Sequence, residues 1–298
     1  MDSTASSLRT APLLVIVGET ASGKSALALE LAQILNGELI CADSWTVRRE
    51  VNIGTAKPTA AEIALVRHHV LDVAGPDEDF TAAVFKRLAN EAIEDITKRG
   101  KLPILVGGTG LYIDGVIYDF GFLAEGDRTE REVFNVISNE QLLAIIAERG
   151  IELGDVDRGN KRRLIRLIET NGAKPTKQNL QPNTLLIGMK VERDVLHKRI
   201  EKRVDAMIAG GLEAEVAGLA QRYGWDCEAL KGVGYAQWKG HFLDTQSHEE
   251  TRAKIIKATL DLAKRQRTWF KRNKSIHWFN TPVKSTHVAE FVTTSLDK

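Results

Sequence analysis

The stretch Gly18-Glu19-Thr20-Ala21-Ser22-Gly23-Lys24-Ser25 carries the first recognisable chemistry in this chain. It has the spacing of a phosphate loop: glycines for a tight turn, backbone N–H groups lining a concavity, then a lysine and a hydroxyl at a helix entrance. The first amides of a helix have no intrahelical partner, and the helix dipole is positive at that end, so an anion is favoured there. Lys24 adds a point charge, and the Ser25 hydroxyl is placed to help hold Mg²⁺. Gly18, Thr20, Ala21, Ser22, Gly23, Lys24 and Ser25 are therefore expected to bind a phosphorylated ligand. An ordinary glycine turn would leave the placement of Lys24 and Ser25 unexplained.

Phosphate loops most often serve nucleotide hydrolases and kinases, which also carry an acidic residue at the end of a buried strand to hold Mg²⁺ or its waters. The matching strand here, Leu102–Val106, runs instead into Gly107-Gly108-Thr109-Gly110. Asp72 is the alternative, on a short and weak strand pattern. The loop is thus expected to hold something other than a nucleoside triphosphate, and a diphosphate would suffice. Asp43-Ser44, at the end of the strand pattern Glu38–Cys41, reads either as a catalytic carboxylate or as a capping pair for the next segment.

The elements that must position these groups alternate through the first half. Leu13–Val17 reads as a strand, Ala26–Leu35 as a helix, Glu38–Cys41 and His69–Val73 as strands, Phe80–Arg99 as a helix with Phe85, Leu88, Ala92 and Ile96 inward, and Leu102–Val106 as a buried strand. Alternation of this kind predicts an α/β fold, a parallel sheet flanked by helices of the P-loop NTPase-like kind. Ligands in such sheets sit outside the carboxyl ends of the strands, which would place Asp43, Ser44 and Thr109 on the same edge as the phosphate loop. Across residues 118–183 strand signals vanish and short charged helices are expected at Glu130–Ser138, Asn139–Arg149 and Lys161–Thr170. The expected organisation is a catalytic core of residues 1–117 and 184–298 with a small helical insertion between them. The strand Leu185–Val191 resumes the core, followed by long helical stretches.

Composition sets the frame. The chain has 298 residues, a formal net charge of +1 and two cysteines, Cys41 and Cys227. That is enough chain for a full α/β core, and the near-neutral charge confines any nucleic-acid surface to a local patch. No apolar run approaches membrane-span length, Met1–Pro12 has no signal-peptide apolar core, and two lone cysteines suit a reducing compartment. The expectation is a cytoplasmic protein with no membrane partner.

The chain resembles the tRNA dimethylallyltransferases. The resemblance rests on Gly18–Ser25, Ala42-Asp43-Ser44, Ile53-Gly54-Thr55-Ala56-Lys57-Pro58, Gly107–Tyr112, Arg163-Leu164-Ile165-Arg166, Arg199–Val204, Gly234-Tyr235 and Ala263–Trp269, in family order and over nearly the whole length. It implies transfer of a dimethylallyl group from dimethylallyl diphosphate to the exocyclic amine of the adenine beside the tRNA anticodon, with Mg²⁺. It implies Asp43 as general base assisted by a hydrogen bond with Thr109, and Lys24, the loop amides, Ser25 with Mg²⁺, and Arg203 as the groups that neutralise the departing diphosphate. It further implies tRNA contacts for Asp43, Ser44, Trp45, Thr46, Thr109, Arg162, Arg163, Arg166, Lys231, Gly234 and Tyr235, and action as a monomer.

Several positions depart from the family pattern: Thr46 and Arg48 stand where glutamine and tyrosine are common, Asn52 where aspartate is usual, and Glu19 where the loop often has proline. The reacting groups are intact, so the departures bear on base and loop recognition. The basic run Lys264, Arg265, Arg267, Lys271 and Arg272 reads either as RNA contact or as packing, and Trp238, Trp269 and Trp278 read as core. His68-His69 reads as a structural strand entrance. Two other activities compete: prenylation of a free adenine nucleotide, and a P-loop small-molecule kinase. A basic insertion disfavours the first, and the missing strand-end carboxylate disfavours the second. An idle RNA-binding protein would have no use for Asp43, Lys24, Ser25 and Thr109 together.

Overall fold

A computed structural model of the chain describes residues 11–124 and 126–296, so most of Met1–Pro12 lies outside the described residues. The chain begins with β1 (Leu13–Gly18), α1 (Lys24–Ile34), β2 (Gly37–Ala42), α2 (Ala60–Leu65), β3 (His68–His69), α3 (Ala82–Lys98), β4 (Leu102–Gly107) and α4 (Gly110–Ile117). Three short helices follow: α5 (Arg128–Val136), α6 (Asn139–Glu148) and α7 (Lys161–Glu169). Then come β5 (Thr184–Lys190), α8 (Arg193–Ala209), α9 (Leu212–Tyr223), α10 (Lys239–Phe242), α11 (His248–Lys271), β6 (Ile276–Asn280) and α12 (Ser285–Leu296).

The six strands form one parallel sheet in the order β3-β2-β4-β1-β5-β6. Its centre, β1, is apolar at consecutive positions because both faces are covered. Leu13, Val15 and Val17 pack into the cluster that holds Phe85 and Ile96 of α3 and Ile113 of α4. Leu14 and Ile16 pack on the opposite side, with Leu27 and Leu31 of α1 and Val288 of α12. All five are fully buried, each stabilising the fold by ~1.5–3 kcal/mol relative to exposure. A third cluster gathers Ile200 of α8, Val216 of α9 and Ile255 of α11 around Tyr235 and Trp238.

Local signals account for the helix starts. The Thr81 hydroxyl accepts from the Val84 amide to cap α3, and Ser247 with Glu250 closes a reciprocal capping box at α11, each satisfying amides that the helix leaves orphaned. On α3, Phe85, Ala92 and Ile96 are buried as expected, while Leu88 is only partly buried against the same core.

Two expectations need correction. The strand expected over His69–Val73 is confined to His68–His69, because Val70 (φ 59°) and Asp72 (φ 54°) adopt left-handed backbone conformations that end extended pairing. The second concerns β6, a strand where the pattern had suggested only helix. Its signal is present in Ile276-His277-Trp278-Phe279, a β-branched and aromatic run, but it is short and follows a long charged helix.

The chain divides into two compact units, one formed up to Tyr118 and from Leu180 onwards, the other Asp119–Asn179. The second unit has its own core, in which Phe134 of α5 and Leu142 and Ile146 of α6 meet Leu164, Ile165 and Ile168 of α7. Among the described residues no helix is long and apolar enough to cross a membrane.

Candidate active site

Strand register brings the chemistry together. Val17 of β1 and Ala42 of β2 both pair with Gly107 of β4, so three neighbouring strands end side by side. From those ends emerge the phosphate loop, the Asp43–Thr46 turn and the Gly108-Thr109 turn. One cavity of about 150 Å³ is lined by Thr20, Lys24, Ser25, Asp43, Thr46, Thr55, Arg203 and Gln266. A smaller one of about 60 Å³ adjoins it, sharing Thr20, Asp43, Thr55 and Arg203 and adding Trp45, Val233 and Gly234. A larger cavity of about 700 Å³ lies beside Glu19, Lys190 and Trp278. It contains neither Asp43 nor Lys24, so size does not mark the reactive site here.

The phosphate loop has its expected shape. Gly23, in a left-handed conformation (φ 91°), turns the chain into α1, where the amides of Lys24 and Ser25 head the helix. The Ser22 amide donates to the Glu19 carbonyl (3.2 Å), and Lys24 Nζ donates to the same carbonyl (3.3 Å). Lys24 is partly exposed as a residue, yet its ammonium is enclosed by protein. Burial lowers its pKa from 10.5 to about 8, with Asp43 and Glu19 opposing the shift and Arg203 adding to it. Arg203 is half-buried, its pKa lowered by desolvation against the pull of Asp43, and its Nη2 donates to the Thr55 carbonyl (3.3 Å). Lys24 and Arg203 thus share the cavity wall with the carboxylates of Asp43 and Glu62, which places two cations where an anion could meet them.

Asp43 is held by its own turn. Its Oδ1 accepts from the amides of Trp45 (2.8 Å) and Thr46 (3.3 Å), which orients the carboxylate and leaves Oδ2 for a ligand. The carboxylate thus caps its turn while it also lines the cavity. Thr109 departs from the expectation. Its Oγ1 accepts from the Ser44 amide (3.0 Å) and lies 3.5 Å from the Ser44 hydroxyl, while its amide donates to the Ala42 carbonyl (3.2 Å). The threonine brackets Asp43 on both sides and does not touch its carboxylate. Cys41 also lines the cavity, and burial with the nearby Asp43 pushes its thiol up to about 12, so it is not a nucleophile.

The expected recognition residues separate into two groups. Trp45 is half-buried beside Asp43, and Thr46 lines the same cavity. Lys231 is exposed and ion-pairs with Glu228, and Gly234 lines the smaller cavity with its amide donating to Gln237 Oε1 (2.8 Å). Tyr235 is corrected: it is 0% exposed, and its hydroxyl donates to Glu215 Oε1 (2.6 Å), so it packs the core and has no surface for RNA. Arg166 is corrected as well. Its guanidinium donates to the carbonyls of Leu123 (2.7 Å) and Ala124 (3.0 Å) and pairs with Glu169, which makes it a staple of the 119–179 unit. Arg162 and Arg163, one turn earlier on α7, are exposed.

The departures from the family pattern acquire physical reasons. Arg48 is 5% exposed, and its Nη1 donates to the carbonyls of Gly75 (3.1 Å), Pro76 (3.3 Å) and Glu78 (2.6 Å). It secures a loop and does not face a target base. Glu19 is buried in a bidentate pair with Arg267 (both contacts 2.8 Å), and Arg272 stacks over Trp269 at 4.6 Å, so two of the three arginines of the late basic run are engaged in packing. Asp72 is held by Lys57 and does not line the cavity, which removes it as a Mg²⁺ carboxylate.

Sequence reasoning missed two residues. Glu215 accepts from the amides of Asn52, Ile53 and Gly54 and from Tyr235, tying down the Ile53–Pro58 block whose Thr55 carbonyl holds Arg203. Gln266 accepts from the Thr20 amide (2.7 Å) and donates to the Gly108 carbonyl (3.1 Å). Neither has a local pattern that announces it, apart from Gln266 lying within the Ala263–Trp269 block.

Residues 46–273 match the IPP transferase family. A tRNA dimethylallyltransferase of Bacillus cytotoxicus is 38% identical over 283 residues, covering 90% of this chain and 90% of its own. One from Bacillus cereus is 38% identical over 288 residues, covering 89% of each. The full-length tRNA isopentenylpyrophosphate transferase of Bacillus halodurans superposes with a TM-score of 0.76 at 35% identity, covering 96% of this chain and 97% of its own. The tRNA delta(2)-isopentenylpyrophosphate transferase of Staphylococcus epidermidis gives 0.72 at 32%, covering 96% of this chain and 99% of its own. A eukaryotic dimethylallyltransferase acting on tRNA shares the fold, with a TM-score of 0.76 at 23% identity over 96% of this chain and 77% of its own. With the phosphate loop, the Asp43 turn and Arg203 around one cavity, the chain belongs to the IPP transferase family, alongside these tRNA-modifying prenyltransferases.

Proposed function

We propose that this protein transfers a dimethylallyl group from dimethylallyl diphosphate to the exocyclic N6 amine of the adenine 3′ of the anticodon in tRNA, releasing pyrophosphate. The observation that carries the reading is the shared cavity, in which a phosphate cradle (Thr20, Lys24, Ser25) and Arg203 face Asp43. The amine is a poor nucleophile because its lone pair is delocalised into the ring. It attacks C1 of the donor, the C1–O bond breaks, and the electron pair leaves with pyrophosphate. The amine proton passes to Asp43 Oδ2, the oxygen its turn leaves available. Lys24, Arg203 and the amides at the head of α1 stabilise the charge that develops on the leaving group.

Mg²⁺ fits this donor set. It retains waters and binds through few protein oxygens plus substrate phosphates, and Ser25 supplies a hydroxyl at the cavity wall. Bound there, it would neutralise diphosphate charge. Trp45 and Thr46, beside Asp43, are placed to meet an adenine drawn out of the anticodon loop, since such a base must leave its stack to reach the carboxylate. The exposed Arg162 and Arg163 would add backbone phosphate contacts from the 119–179 unit, and Lys231 would do so near Gly234.

The test is mass spectrometry of tRNA nucleosides after incubating the protein with Mg²⁺, dimethylallyl diphosphate and tRNA from cells lacking the modification. Dimethylallyl-adenosine in the tRNA is the expected product. Prenylation of free adenine nucleotide instead of tRNA, or ATP turnover without prenylation, would overturn the reading.

A further inference from the structure

Three loops from three different strands must be held in register for this chemistry, and one side chain of α11 joins two of them. Gln266 is buried, 9% exposed, and its amide spans the gap between the phosphate loop and the turn after β4. Its Oε1 accepts from Thr20 N (2.7 Å), and its Nε2 donates to the Gly108 carbonyl (3.1 Å). Gly108 is needed for this approach, since a Cβ there would lie 2.3 Å from Nε2. The next residue, Thr109, accepts from Ser44 N, and the Asp43 carboxylate is fixed one residue earlier. An unbroken run of hydrogen bonds and adjoining residues therefore leads from Thr20 through Gln266, Gly108, Thr109 and Ser44 to the Asp43 turn. The adjoining Arg267 grips Glu19, so one turn of α11 holds two consecutive residues of the phosphate loop.

We propose that Gln266 is a positioning residue that sets the distance between the diphosphate cradle and Asp43, a role that rests on the transfer reaction proposed above. The amide fits this task because it presents an acceptor and a donor in one rigid plane. It also occupies the Thr20 amide, so that this N–H serves alignment while the amides at the head of α1 remain for phosphate. Attack at C1 needs the reacting atoms in near-contact geometry, and a misplacement of about 1 Å costs ~10²-fold in rate.

The variant Gln266→Met keeps length and volume and removes both hydrogen bonds. Gln266→Glu keeps the acceptor for Thr20 but sets a carboxylate against the Gly108 carbonyl. Active-site concentration is normalised by pyrophosphate binding, and transfer is measured alongside amide hydrogen exchange with and without pyrophosphate. We expect kcat to fall ~10²-fold in both variants, with the KM for the donor within a few-fold of wild type for Gln266→Met. In the wild type, pyrophosphate should slow exchange at residues 43–46 as well as at the phosphate loop; in Gln266→Met it should protect the phosphate loop alone. A kcat per folded molecule within threefold of wild type, or protection of residues 43–46 retained in Gln266→Met, overturns the proposal. Should the wild type itself fail to transfer the prenyl group, the reaction assignment falls, and the exchange measurement still decides whether Gln266 links the two loops.

Discussion

Capture of the donor should carry a pH limit set by Lys24. Its ammonium is enclosed by protein, and desolvation, opposed by Asp43, brings its pKa to about 8. One unit below that value about nine in ten free enzyme molecules carry the charge, and one unit above about one in ten do. Deprotonation removes a cation from the cradle, so donor binding weakens as pH rises through 8 and is unaffected well below it. The expected result is a kcat/KM for dimethylallyl diphosphate that is level near pH 6–7 and falls about tenfold between pH 7 and 9. Bound diphosphate places negative charge against the ammonium and raises its pKa again. At saturating donor, kcat should therefore hold its value to higher pH than kcat/KM does. The assay is transfer of labelled prenyl group to an anticodon stem-loop from pH 6 to 10, in the wild type and in Lys24→Arg, whose charge persists throughout this range. A kcat/KM that stays level past pH 9, or a break at pH 8 that survives in Lys24→Arg, would refute the assignment of the limit to Lys24.

Other expectations separate chemistry from packing. Asp43→Ala should lower transfer ~10²–10⁴-fold while tRNA affinity stays within a few-fold; a large loss of tRNA binding would make Asp43 a recognition residue. Tyr235→Phe removes a hydrogen bond to the Glu215 carboxylate and should cost ~1.5–3 kcal/mol of stability in denaturant titration. Its tRNA affinity should be unchanged, and a weakened complex would return Tyr235 to the RNA interface. Replacing Arg162 and Arg163 together by alanine should weaken tRNA binding and flatten its salt dependence by ~0.7–0.9 in slope for each phosphate no longer neutralised. Arg166→Ala should instead lower the stability of the 119–179 unit, because its bonds to Leu123, Ala124 and Glu169 disappear; equal salt slopes for all three positions would undo this division.

Much of the site was legible because its signals are local. The phosphate loop compresses turn, nest, lysine and hydroxyl into eight consecutive residues, and continuous apolar runs mark β1, β4 and β5 as strands covered on both faces. The three helices of the 119–179 unit were likewise visible as short charged segments where strand signals vanish. Errors arose where a residue's role depends on what folds against it. Arginine and tyrosine in family motifs read as RNA contacts, but Arg166 met two backbone carbonyls and Tyr235 met a buried carboxylate. His69–Val73 had strand composition, yet left-handed residues at Val70 and Asp72 ended the pairing.

By itself the sequence determined that the chain folds as a parallel α/β sheet, that it carries a phosphate-loop pattern after its first strand, and that Asp43, Thr109 and Arg203 belong to one family pattern. Only the tertiary structure decided what each of these touches. It showed that Thr109 holds the Asp43 turn through Ser44, that Arg48 and Glu19 are packed and paired, and that Gln266 reaches Thr20 across 246 residues of chain. The division has a physical cause. Helix capping, strand alternation and the phosphate nest depend on neighbours a few residues apart, whereas hydrogen bonds between loops depend on strand order and register, which arise only when the whole sheet assembles.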